Sequence, residues 1–145
     1  MDWIRPRKFE FALLIGLIGL VALALFQALG RMSEEAEESA VQAEAAALRV
    51  ELLDRLAHRE LYGGALPEGR NPLRWVARRP KPYLGELDAA PAETGVWYFD
   101  RSRQELIYRF RSGREARFAV VQGADLDKVL GGLSGVGLRR LDSGR

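Results

Sequence analysis

The chain has few groups equipped for chemistry, and none stands in a reactive arrangement. Its one histidine, His58, has Asp54 and Glu60 near it in sequence. A metal centre needs three or four ligands at fixed spacing; one imidazole with scattered carboxylates near a helix C-terminus is the pattern of a surface histidine. There is no cysteine, so no thiolate ligand, thiol nucleophile or disulfide is available and stability must come from packing. Ser102, Ser112 and Ser134 have no neighbouring base, and Gly113, Gly131 and Gly132 lack the residues that surround a phosphate-cradling loop. Glu37 and Glu38 fall on an exposed helical face. The expectation is no enzyme, no cofactor and no metal.

What remains is charge. Arg70, Arg74, Arg78, Arg79 and Lys81 make the most basic stretch of the chain after its N-terminus. Such a cluster suits an anionic partner or lipid headgroups; the competing reading is a solvated loop whose arginines pair with nearby carboxylates. The net charge of +2 and pI of 9.2 come from basic residues spread over several segments, and nucleic acid is not expected as a partner.

The elements that carry these residues begin with Phe11 to Leu29, FALLIGLIGLVALALFQAL, a run without charge. As a helix it reaches about 28 Å, close to the hydrocarbon thickness of a bilayer. Arg5, Arg7 and Lys8 precede it, whereas Glu34, Glu35, Glu37 and Glu38 follow Arg31. Basic flanks stay cytoplasmic. The sequence therefore predicts a cytoplasmic stub (1–10) with Trp3 at the headgroup level, a transmembrane helix (11–30) and a C-terminal part exported to the periplasm. The expectation is a single-pass protein of the bacterial inner membrane. A cleaved signal would have a shorter apolar core; Ala28 and Gly30 do form a small-x-small pair, but Gln27, Leu29 and Arg31 make a poor cleavage site.

Residues 31–62 read as an amphipathic periplasmic helix. Ser33 is a good N-cap, the glutamates that follow suit the helix dipole, and the interior is rich in Ala, Leu, Glu and Arg without Gly or Pro. With only Gly30 between them, span and stalk join into one nearly continuous helix from about Phe9 to Leu61. Val41, Ala45, Leu48, Leu52 and Leu56 form one apolar stripe, which Ala43, Ala46, Ala47, Val50, Leu53 and Ala57 broaden. The lower part, Leu48 to Leu61, should pack on the C-terminal domain, and the upper part is left for a stalk or for self-association. Val41, Leu48, Leu52 and Leu56 are interaction candidates.

Residues 63–94 are punctuated by Gly and Pro and predict an irregular connection, with a helical turn at Asn71 to Val76 capped by Asn71. Leu73, Trp75, Val76, Tyr83 and Leu84 should dock, and Trp75, Arg78, Arg79 and Tyr83 join the interaction candidates. Residues 95–145 predict a small antiparallel β domain. GVWYFD, ELIYRFR and EARFAVV read as a three-stranded meander, with Trp97 and Phe99 facing opposite to Val96 and Tyr98. Trp97 completes the candidates. Asp125 to Leu130 reads as a short helical turn, Val136 to Leu141 as a last strand, and Ser143 to Arg145 as a frayed end.

Basic residues followed by Phe9 and an apolar helix resemble the start of type IV pilins and pseudopilins, but Lys8 stands where that family has Gly and Leu13 where it has Glu. Asn71-Pro72-Leu73, Pro80-Lys81-Pro82-Tyr83-Leu84-Gly85-Glu86-Leu87, Gly95-Val96-Trp97-Tyr98-Phe99-Asp100 and Glu105-Leu106-Ile107-Tyr108 look like the periplasmic part of accessory proteins from MSHA-type pilus biogenesis clusters. The resemblance implies an α+β fold, pilin-like, with a long N-terminal helix packed on a small antiparallel β meander. It implies an accessory or scaffold role in a type IV pilus or type II secretion assembly, exercised through protein–protein contacts. A processed minor pilin or pseudopilin and an envelope or divisome coiled-coil partner are the alternatives.

Overall fold

The computed structural model describes residues 5–64, 69–122 and 136–141. The expected headgroup position of Trp3, the helical turn at Asp125 to Leu130 and the frayed end lie outside them. The chain divides into two compact units, Met1–Ser39 and Ala40–Arg145. Helix α1, Arg5–Tyr62, contributes to both, and Gly30 lies inside it as ordinary helical backbone. Pro6 sits in its first turn, where a missing backbone N–H costs nothing.

Among the described residues of the first unit, the large apolar side chains from Phe9 to Met32 are exposed. Leu13, Leu17, Leu20, Leu23, Phe26 and Leu29 are all exposed, Phe26 by 75%. This segment is long and apolar enough, by length and composition, to cross a membrane.

The second unit joins the end of α1 to a five-stranded sheet in sequence order: β1 Tyr83–Leu87, β2 Val96–Asp100, β3 Glu105–Arg109, β4 Glu115–Gln122 and β5 Val136–Arg140. The three segments of the expected meander are β2 to β4, antiparallel in register, and β5 continues the pattern. The sheet is nevertheless mixed. β1 runs parallel to β2, inside the stretch expected to be irregular. Pro80, Pro82 and Gly85 hide it in sequence because they are breaker residues. Gly85 holds φ +99° at a break in the β1–β2 register between Tyr83 and Glu86, a conformation that favours glycine.

The sheet's two faces are chemically distinct. Trp97, Phe99, Leu106, Tyr108, Ala116, Phe118 and Leu138 form one core with Val41, Ala45, Leu48 and Leu52 of α1 and with Leu73, Trp75 and Val76. Aromatic rings link the strands within it: Trp97 lies 5.1 Å from Tyr108 and 5.7 Å from Phe118, and Tyr108 meets Phe110 edge-on at 5.0 Å. The other face carries Val96, Tyr98, Ile107, Arg109, Glu115 and Arg117 in register. Arg109 there donates to the Pro91 carbonyl at 2.8 Å, fastening the β1–β2 connection, and all five residues of β2 are buried.

The docked stretch of α1 begins earlier than the sequence implies. Val41 and Ala45 are already buried, while Leu61 is 76% exposed. The residues expected to broaden the stripe do not join it: Ala43, Ala46, Ala47, Val50 and Ala57 are exposed. At 100° per residue they fall on the side of the helix opposite Val41, Ala45, Leu48 and Leu52, and the sheet takes the stripe with the larger side chains. Both sheet edges are obstructed. Arg49 Nε donates to the Leu138 carbonyl of β5 at 2.7 Å, and Arg101 Nη2 donates to the Glu86 carbonyl of β1 at 3.2 Å. An edge so treated is a poor template for another strand.

Candidate interaction surface

The most organised polar group of the second unit surrounds Glu86. Asn71, expected as an N-cap, takes that role on the 3-10 turn Pro72–Arg74: its side chain accepts from the Leu73 N–H at 3.0 Å. Its amide then donates to Tyr83 Oη at 3.1 Å and to Glu86 Oε1 at 2.9 Å. Arg74 grips the same carboxylate through two hydrogen bonds, Nε to Oε1 at 2.7 Å and Nη2 to Oε2 at 2.9 Å. Arg101 stands 3.7 Å away on the other side. Asn71 is thus a buried joint between the turn and β1, and its three hydrogen bonds explain why an amide is tolerated at 4% exposure. Two shallow clefts of about 170 Å³ each flank Glu86.

The electrostatics follow from these contacts. Hydrogen bonds from Arg74 and Asn71 hold the Glu86 carboxyl below its ordinary value, against the opposing effect of burial, with the charges of Arg74 and Arg101 adding to the depression. Burial pushes Asp100 upward, but the Ser102 hydroxyl and the backbone N–H groups of Arg103 and Ser102 outweigh it, and the net shift is downward. Burial and the neighbouring Glu115 carboxylate push Tyr98 up to about 12, so it remains a neutral donor to Glu115 Oε1 at 3.2 Å.

A group whose folded pKa is depressed contributes stability above its unfolded value and loses it as pH falls through the folded value. The unfolded reference for Glu86 is 4.5. Urea midpoints are therefore expected to hold steady at neutral pH and to fall once the pH drops below about 4.5. Glu86→Gln should lower the midpoint at pH 7 and flatten the acid-side slope, leaving the part due to Asp100. An unchanged slope in that variant would show that Glu86 is not a source of it.

The basic stretch divides in the structure. Arg74 is occupied by Glu86, and Arg78 reaches Glu44 of α1 at 3.2 Å, while Glu51 accepts from the Ala77 N–H at 2.7 Å. These pairs fasten the connection to the helix. Arg79 is exposed and lines the cleft beside Tyr83. Among the interaction candidates, Val41, Leu48, Leu52, Trp75 and Trp97 are placed in the protein's own core, Leu56 and Tyr83 pack partly against it, and Arg78 and Arg79 face solvent. The same apolarity that marks a residue for a partner marks it for a core; along α1 the sequence signal that separates them is angular position on the helix. His58 is exposed and stacks on Tyr62 at 4.7 Å, and among the described residues no cluster of His, Cys, Asp or Glu is placed to hold a metal ion.

The second unit is thus an α+β domain in which one stripe of a long helix closes one face of a mixed five-stranded sheet. Comparison with protein-family models, with curated proteins and with solved structures gives no match.

Proposed function

We propose that this protein is a single-span inner-membrane component whose periplasmic α+β domain serves as an accessory or scaffold element of a type IV pilus assembly of the MSHA kind, or of a type II secretion assembly. It would act through protein–protein contacts. The observation that carries the reading is the uncovered apolar segment of α1, which a soluble protein would bury and a bilayer would cover. Its basic N-terminal flank favours export of the sheet domain. The polar groups around Glu86 are engaged with one another, which supports a structural rather than a chemical use of that surface.

The test is cross-linking in intact cells followed by purification from the membrane fraction and identification of the captured proteins. Recovery of pilus or secretion components is the expected result; their consistent absence would overturn the assignment. The mass of the mature N-terminus separates an anchor from a processed filament subunit, since cleavage before Phe9 would favour the latter.

A further inference from the structure

The face of α1 left bare by the sheet has an order of its own. Ala43, Ala46, Val50, Leu53 and Ala57 recur at alternating spacings of three and four, the a and d positions of a heptad repeat. Val50 is 68% exposed, Leu53 is half-buried, and the three alanines are exposed. Leu61 continues the face at the neighbouring e position, 76% exposed. The repeat ends after Ala57, where the next d position is Glu60. A β-branched residue at a beside leucine at d is the combination that favours two parallel strands.

We propose that this face is the seam of a parallel homodimer, in which α1 of one copy packs against α1 of a second along Ala43 to Leu61. Two features select a second copy, side by side, as the occupant. The first is charge. In a parallel pair each g position meets the following e position of the partner helix, which sets Arg49 of one copy against Asp54 of the other, twice by symmetry. Arg49 spends only Nε on the Leu138 carbonyl, and neither its Nη groups nor the exposed Asp54 carboxylate has another partner among the described residues. The second is anchoring, which rests on the membrane reading above: copies held by the same span point the same way and meet at raised effective concentration. That matters because the seam covers only about 27 Å of helix, too short to hold two soluble helices together unaided.

The absence of cysteine makes the test clean. In the full chain, in membranes, Val50→Cys is expected to oxidise to a covalent dimer at least about tenfold more efficiently than Arg55→Cys, which is exposed on another side of α1. Equal yields, or no dimer from Val50→Cys, would overturn the seam. Adding Asp54→Lys to Val50→Cys should lower the dimer yield about fivefold by facing Arg49 with a like charge; an unchanged yield overturns the Arg49–Asp54 register. Preferential joining of Ala46→Cys copies to Ala57→Cys copies, a d position against an a position, would show an antiparallel pair and also overturn it. Fractionation of the same cells keeps the two readings apart. Recovery of the chain in the soluble fraction overturns the anchor, whereas an anchored chain without a Val50 cross-link overturns the seam alone.

Discussion

Replacing Leu17 and Leu20 together by arginine is expected to move the protein out of the carbonate-resistant membrane fraction. Both side chains are uncovered in α1, at 58% and 68% exposure, and both lie near the middle of the apolar run. An arginine at the centre of a spanning helix costs about 3 kcal/mol on the insertion scale and each lost leucine about 0.5 kcal/mol, so the pair removes about 7 kcal/mol of insertion free energy. The same substitutions on a water-exposed helix would cost almost nothing, since solvated surface changes fall within about 0.5 kcal/mol. A double variant that remains carbonate-resistant would therefore count against a bilayer as the cover of this segment. The experiment reads the physical environment of the helix and not a downstream phenotype.

Phe118→Ala is expected to be the most damaging truncation in the sheet domain, with a loss of about 3–5 kcal/mol. Phe118 is 1% exposed and sits on β4 opposite Leu106 of β3. Its ring contacts Trp97 and lies 5.9 Å from the Arg140 guanidinium. Removing the ring opens a cavity at the meeting of three strands and forfeits the aromatic and cation contacts as well. Domains of this size have about 5–15 kcal/mol of stability in total, so the loss is a large share of it. Urea unfolding of the detergent-solubilised chain, followed by tryptophan fluorescence, should show a strongly lowered midpoint. Leu84→Ala, at a site 40% exposed, should shift it little. Equal shifts in the two variants would mean that the core is not where the contacts place it.

Much of this arrangement is legible in the residues because period and composition agree. The apolar run, the single stripe of α1, the alternation along Val96 to Asp100 and the Asn71 cap each follow from local rules, and each is present. β1 is not legible. Its backbone pairs with β2 although its sequence contains Gly85 and follows two prolines, because tertiary pairing outweighs weak strand propensity. The division of the helix face is hidden in sequence for a different reason. Alanine and valine positions at a shared period resemble one broad stripe by composition, whereas their angular positions divide them into two opposite faces. Position around the helix, and not apolarity, decides which apolar residues of α1 belong to the core.

One contact sets a timetable for making this protein. Arg49 of α1 closes on the Leu138 carbonyl across a separation of 89 residues, and the helix stripe from Val41 to Leu52 shares its core with Leu138 of the last strand. Ribosomes add about 5–20 residues per second. The stripe therefore waits roughly 5 to 20 s after its own synthesis before the residue that completes its cover exists. β2 to β4 are complete once Gln122 has been added, but until Leu138 follows the cover of the helix stripe lacks its last member. Completion of the domain is a late event set by arrival of the C-terminal strand, and a chain stalled before Leu138 would present the cell with an unfinished core.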